Sequence, residues 1–220
     1  MTEKIDFTLR NETVADYAET ENMTREAFWN QFAPGCAEHY LLHQIRNIDA
    51  FVPELDFIAE HRGQIIGNAV YTKSIIKTDN GEEVSVLCLG PIGVLPKYQG
   101  QGIGTALIKH TQQIAYQMGY RAIFIFGDPN FYKRVGFVPA EKYQIRTSDN
   151  VFATAHQVLP LDETFLLDKS GQYFEDPRFT IDEVATEKFD QQFPPKEKIV
   201  GIKSQPIFNK LITMTKEYHG

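Results

Sequence analysis

The sequence predicts an α+β fold: a mixed, mostly antiparallel central sheet flanked by helices. Three observations carry that expectation. Strand-like runs between residues 55 and 95 are separated by turn signals and read as hairpins. A glycine-dense turn at 99–105 hands over to an amphipathic helix. A short, compact, mainly apolar run at 120–126 follows, which completes a βαβ unit.

Composition suits such a domain. The 220 residues carry 22 Lys+Arg against 29 Asp+Glu, a net charge of −7, and are 42% apolar and 23% charged. That excludes a disordered or collagen-like chain and is enough to bury a core. A net negative chain lacks the field that draws proteins to nucleic acid or anionic lipid, so neither is an expected partner. No stretch approaches the ~18 apolar residues of a spanning helix. The first ten residues mix Glu3, Lys4, Asp6 and Arg10 with apolar ones, unlike a secretory leader. Cys36 and Cys88 form neither a metal-type spacing nor a disulfide framework. The expectation is a cytoplasmic protein in a reducing setting, with no metal.

Taken in order, Ile5–Leu9 alternates apolar and polar residues as a first strand. Asn11–Thr13 offers caps for a helix carrying Val14, Tyr17, Ala18 and Phe28, and a second helix spans about 37–46. Strands at 55–60 and 65–76 flank the turn His61-Arg62-Gly63-Gln64. Asp79-Asn80-Gly81 predicts a type I′ turn into a strand at about 83–95. Pro91 has no N–H for a ladder, which predicts a bulge or splay and partly unpaired backbone there. Ile103, Leu107, Ile114 and Met118 recur as one helix face, capped by Gly119. After the strand at 120–126, Asp128-Pro129 caps and begins a short helix that stops near Gly136. From about Lys142 the pattern becomes short apolar runs between turns, with a short helix at 182–189 ended by Pro194.

Five glycines fall at 90, 93, 100, 102 and 104. Gln99-Gly100-Gln101-Gly102-Ile103-Gly104-Thr105 lies where backbone N–H groups and the helix dipole favour an anion. No Gly-Lys-Ser/Thr follows, so this is not a P-loop, and G-x-G-x-G is not the dinucleotide spacing G-x-G-x-x-G. On the residues alone, a phosphate site and a plain strand-to-helix turn both stay open.

Leu89-Gly90-Pro91-Ile92-Gly93-Val94-Leu95-Pro96 followed by Tyr98-Gln99-Gly100-Gln101-Gly102-Ile103-Gly104 resembles the acetyl-CoA motif of the GNAT superfamily of N-acetyltransferases. Its pattern [QR]-x-x-G-x-[GA] is met by Gln99, Gly102 and Gly104. Phe131-Tyr132-Lys133-Arg134-Val135-Gly136-Phe137 resembles the second hallmark, F-Y-x-x-x-G-F, and Gly127-Asp128-Pro129-Asn130-Phe131-Tyr132 looks like the G-D-P-x-[FY]-Y variant of one acetyltransferase branch. The resemblance covers about Ile5–Pro139. It implies the GNAT acyl-CoA N-acyltransferase fold, splayed at the fourth and fifth strands, and carries no acceptor identity.

The resemblance implies acetyl-CoA as co-substrate. Amides from Gln99, Gly100, Gln101, Gly102, Ile103 and Gly104 would hold its pyrophosphate, with a hydroxyl from Thr105, and Ile92, Gly93 and Val94 would pair with pantetheine. The segment 97–146 holds seven basic residues (97, 109, 121, 133, 134, 142, 146) and two acidic ones, which suits an anionic ligand. Tyr132 is the candidate general acid, since a phenol with pKa ~10 is protonated at neutral pH and can donate to a departing thiolate. Phe131 reads as packing, Asp128 as an N-cap and Cys88 as a buried structural residue. Glu38, His39, His43, Asp56 and Glu60 lie in segments that border the acceptor cleft in the family, and none stands out as a base.

Residues 1–60 hold four basic and twelve acidic residues. The resemblance implies an amine acceptor, on a small molecule or a protein, with this region helping to wall its site, so the acidic excess makes a cationic acceptor the expectation. The expected division is a core at 1–143 and an extension at 144–220 that completes the core, covers the acceptor cleft or mediates a homodimer. Three functions stay open: an N-acetyltransferase acting by direct attack on the thioester; a non-catalytic acyl-CoA-binding regulatory module; and a nucleotide-binding regulatory domain, which the glycine spacing disfavours.

Overall fold

In the computed structural model, which describes residues 5–219, β1 (Thr8–Asn11) begins later than the alternation at 5–9 predicts. Ile5, Phe7 and Leu9 all pack against the core. Its partner β2 (Phe57–His61) ends at His61, however, so the ladder starts only at Thr8 opposite Glu60. Met1–Lys4, part of the stretch weighed as a leader, lie outside the described residues.

Asp16 Oδ2 accepts from Thr13 N–H at 2.9 Å and Thr13 Oγ1–H at 2.7 Å, holding a short 3-10 turn. It runs into α1 (Tyr17–Phe28), and α2 (Glu38–Ile45) follows. Val14 lies in the turn and is exposed rather than on the buried face. β2 forms a hairpin with the 15-residue β3 (Gln64–Thr78), which turns back into β4 (Glu83–Val94).

That second turn is not type I′. Gly81 takes φ +91° while Asn80 is absent from the residues at positive φ. Asp79 and Asn80 instead make an ordinary turn, closed by Gly81 N–H to Thr78 C=O at 3.0 Å, and Thr78 Oγ1 takes the Glu82 N–H at 2.8 Å. The threonine side chain supplies the acceptor that a tighter loop would leave to the backbone.

The bulge expected at Pro91 is present. Ala69 pairs with Ile92 and Tyr71 with Leu89, so two β4 residues, Gly90 and Pro91, oppose Val70 alone. The chain then crosses through α3 (Ile103–Gln117) to β5 (Ala122–Phe126), parallel to β4. The buried face of α3 is Ile103, Leu107, Ile108, Thr111 and Ala115. Met118 falls past the last turn and is exposed, because Gly119 ends the helix before that position completes the stripe.

Short α4 (Pro129–Tyr132) and β6 (Val138–Pro139) follow, then β7 (Ile145–Arg146), β8 (Val151–Ala153), β9 (His156–Pro160), β10 (Gly171–Phe174), α5 (Glu183–Asp190), α6 (Ser204–Thr213) and β11 (Thr215–Glu217). The main sheet runs β1-β2-β3-β4-β5-β9-β6, with β10 pairing the far end of β3 and β7; β11 pairs β8 separately. Only β4–β5 and β10–β7 are parallel among the described pairs. The length of β3 allows this, since Phe57 faces Ala69 near its start while Gly171 faces Thr78 at its end.

Alternation along the strands sends side chains to two layers. Phe57, Ala59, Ala69, Tyr71 and Leu89 join Leu107 and Ile108 of α3. On the opposite face Ile58 and Ile65 meet Met23 and Ala27 of α1, and Val70 meets Leu42 and Ile45 of α2.

Candidate active site

β4 and β5 pair at only two positions, Leu87 with Ile123 and Cys88 with Phe124, and then diverge. Beyond Cys88 one edge of β4 still pairs with β3 while the other is free. Leu95 N–H points to Ile66 C=O and Gly93 N–H to Asn68 Oδ1 at 3.2 Å, both toward β3. Strand alternation therefore turns the N–H and C=O of Ile92 and Val94 to the free edge. Gln99 Nε2 donates to Val94 C=O at 3.0 Å, which leaves Ile92 as the residue with both groups open to an extended ligand.

The glycine-rich turn lies at the end of this edge. Gly100 and Gly102 take φ +75° and +86°, a region closed to most side chains, and so wrap the backbone into the first turn of α3. The first helical bond is Ala106 N–H to Gly102 C=O. The N–H groups of Ile103, Gly104 and Thr105 precede it and have no partner within the helix. They open, with Ile92, Val94, Tyr98, Gln99 and Arg134, on a cavity of about 510 Å³. Of the seven basic residues in that segment only Arg134 lines it; Lys97 reaches Gln64, Arg121 the Tyr116 and Tyr120 carbonyls, and Arg146 Asp79. The arrangement suits an anionic group continued by an extended arm with amides.

A second cavity, about 610 Å³, shares Ile92 and Phe131 with the first and occupies the splay itself. Tyr132 lines it. The ring is held by Phe131 and Phe137 at 4.9 and 5.3 Å between centroids, and it lies so close over Gly127 that a Cβ there would sit 2.2 Å from Tyr132 Cε2. Burial pushes the phenol further above its ordinary value of 10.0, with Tyr71 and Asp128 adding to the effect, so it stays protonated at neutral pH. Among the described residues its hydroxyl has no hydrogen-bond partner and is available to a ligand.

The charges of the two cavities differ. The first carries Arg134 and no acidic side chain. The second is walled by six phenylalanines, including Phe28, Phe179 and Phe208, and carries Glu38, Asp128 and Glu175 with no basic side chain. Burial raises the carboxyl pKa of Glu38 and Glu175. Asp128 is the N-cap expected, accepting from Asn130 N–H at 2.8 Å.

Of the five residues in cleft-bordering segments, only Glu38 reaches this cavity. Asp56 is buried beside Glu12, and Glu60 pairs with Arg10. His43 Nδ1 is 2.9 Å from Glu21 Oε1. His39 faces Cys36 Sγ at 3.4 Å and Asp190 Oδ1 at 3.1 Å. That order imitates a hydrolase triad, but burial raises the Cys36 thiol and lowers His39 to about 4, so both stay neutral. Cys88 is buried as expected, and its S–H donates to Glu175 Oε1 at 3.1 Å. Among the described residues no group of three His, Cys, Asp or Glu could hold a metal.

Glu175 and Phe208 were not legible in the sequence as site residues, because they come from a stretch with no motif and reach the cavity only through the β10–β3 pairing and the placement of α6. Arg134 carried a signal, its place within F-Y-x-x-x-G-F.

Residues 54–139 match the family profile described as an acetyltransferase (GNAT) domain. The chain is 35% identical over 89 residues to the Escherichia coli K12 uncharacterized N-acetyltransferase YjhQ, covering 40% of this chain and 48% of YjhQ. It is 30% identical over 110 residues to the E. coli K12 uncharacterized N-acetyltransferase YhbS, 50% of this chain and 64% of YhbS. The matches thus span about half to two thirds of these curated relatives. The crystal structure of E. coli YhbS in complex with CoA superposes with TM-score 0.69 at 26% identity, covering 81% of this chain and 94% of that one. A GNAT family acetyltransferase from Brucella melitensis in complex with acetyl-CoA superposes with TM-score 0.60 at 27% identity, covering 80% and 99%.

Proposed function

We propose, from the match of residues 54–139 to the acetyltransferase (GNAT) domain profile, that the protein is an acetyl-CoA-dependent N-acetyltransferase acting on a primary amine. The observation that carries the reading is the junction of the two cavities at Ile92 and Phe131. One suits an anionic arm and the other places a protonated phenol beside an acid-lined pocket. CoA and acetyl-CoA in the YhbS and B. melitensis structures support the choice of co-substrate.

When bound, acetyl-CoA supplies an activated thioester carbonyl. The amides of Gln99 through Gly104 and the Thr105 hydroxyl hold its pyrophosphate, with Arg134 alongside. Ile92, Gly93 and Val94 form the strand along the pantetheine arm, Ile92 giving the open N–H and C=O, while Gly93 leaves room for Asn68, Phe28 and Ala27 packed against it. Tyr132 gives its proton to the sulfur as the C–S bond breaks, which removes the cost of expelling a thiolate into an apolar pocket. Residues 144–220 act as an extension of the 1–143 core that supplies wall to the acceptor cavity.

CoA release measured with a panel of amines tests this against the reading as a non-catalytic acyl-CoA-binding module. Release with at least one amine is expected. Tyr132→Phe should keep acetyl-CoA affinity and lower kcat by about 10²-fold; an unchanged kcat removes Tyr132 from the chemistry. Binding of acetyl-CoA with no release from any amine would favour the binding module.

A further inference from the structure

We propose that Glu175 receives the acceptor and takes its proton, and that the acceptor is a primary amine carried on an apolar, ring-sized body. This rests on the acetyltransferase reading and names the substrate class and the base that it leaves open.

Three carboxyls face the acceptor cavity, and their surroundings differ. Glu38 Oε2 accepts the Ala37 N–H at 3.0 Å at the start of α2. Asp128 Oδ1 is held by the Asn130 N–H. In each, a backbone amide already occupies a carboxyl oxygen. Glu175 has, among the described residues, only the Cys88 thiol as donor, and a thiol is a weak one. Of the three it is therefore the carboxyl least engaged by backbone donors and the most open to an ammonium. Its place also fits: Cys88 is the last β4 residue paired with β5, so Glu175 stands at the mouth of the splay toward which the free edge at Ile92 leads.

The walls decide the rest of the acceptor. Phe28, Phe32, Leu41, Phe126, Phe179 and Phe208 surround about 610 Å³, room for an aromatic or branched aliphatic body, which gains from the burial that a polyamine chain would lose. Together with Phe131, these phenylalanine faces also attract an ammonium on its way to the carboxylate.

The proton balance closes. The ammonium gives one proton to the Glu175 carboxylate, and its nitrogen bonds to the thioester carbon. The C–S bond breaks as the sulfur takes the Tyr132 proton, the second nitrogen proton restores Tyr132, and Glu175 returns the first to solvent. The titratable groups facing Glu175 are Cys88 from β4, Tyr173 from β10, and Glu38, Asp128 and Tyr132 across the cavity. Arg178, three residues on, is paired with Asp176 and Asp49.

The experiment measures CoA release by the full chain with 2-phenylethylamine, spermidine and glycine, for the wild type, Glu175→Gln and Glu175→Asp. The expected order of kcat/KM is 2-phenylethylamine above the other two. Glu175→Gln should lower kcat by about 10²-fold and lose the acid limb of the kcat pH profile, with Glu175→Asp between. Unchanged acetyl-CoA affinity in both variants shows the fold intact. Wild-type turnover that Glu175→Gln leaves unchanged overturns the base and spares the acetyltransferase reading. A preference for spermidine or glycine overturns the apolar body. Acetyl-CoA binding without turnover of any amine overturns both.

Discussion

At the scale of single residues, the position of the Tyr132 hydroxyl depends on an atom that is missing. Gly127 leaves room for the tyrosine ring where any Cβ would overlap it at 2.2 Å, and Phe131 and Phe137 leave the ring little freedom to retreat. Gly127→Ala should therefore move the phenol off its line to the splay. The expected result is a loss of about 1–3 kcal/mol of stability from overpacking, read by urea denaturation, and a drop in kcat larger than any change in acetyl-CoA affinity. Equal effects on both would mean that the glycine serves only the turn.

Between elements, the join that matters is the one from α5 to α1. Arg25, fully buried, donates to both oxygens of Asp190 at 2.6 and 3.1 Å and lies 4.2 Å from the Trp29 ring centroid. Next to it, Trp29 Nε1 and Asn30 Nδ2 both donate to Glu197 C=O, and Lys196 pairs with Glu26. The chain after residue 180 is thus fastened to the end of α1, and Phe208 is thereby brought to the acceptor cavity. Removing one partner of a buried pair strands the other, so Arg25→Ala and Asp190→Ala should each cost about 3–5 kcal/mol. The double variant should cost much less than the sum. Additive losses in chemical denaturation would show that the two residues act separately.

For the whole molecule, burial of ionisable groups sets the pH range of stability. Desolvation lowers His39 to about 4 and His156 to about 3; His156 lies among Phe124, Phe126 and Tyr173 with neither ring nitrogen bonded. Below pH ~6.5 the unfolded chain binds these protons and the folded one does not, so stability falls as pH drops, by about 1.4 kcal/mol per unit for each histidine. Asp56 acts in the opposite sense. Burial, with Glu12 against it, raises its carboxyl far above 3.8, so the folded state holds a proton that the unfolded state has lost and stability declines as pH rises from about 4 through neutrality. Thermal midpoints followed against pH should show both flanks. Asp56→Asn should flatten the upper one and His156→Phe the lower. An acid flank unchanged in His156→Phe would mean that other groups carry it.

Elements whose signals are local follow from the amino-acid order alone. Asn-Gly marks a turn, Pro91 a bulge and the apolar period of α3 a helix, because each depends on backbone preferences within a few residues; the glycines with F-Y-x-x-x-G-F carry a family resemblance instead, and a profile described as an acetyltransferase (GNAT) domain matches residues 54–139. Where a local signal needed distant partners it slipped: β1 starts where β2 can pair, and the turn at Asp79–Gly81 takes the form that Thr78 supports rather than I′. Within the acidic N-terminal stretch, Glu12, Asp16, Glu21 and Glu60 are engaged by Arg10 and Arg46. Among the described acidic residues of that stretch only Glu38 lines the cavity, and Glu175 joins it from 137 positions further along the chain. Only the tertiary structure decided that meeting, since a pocket between splayed strands draws its walls from whatever segments the sheet brings together, at separations that no spacing records.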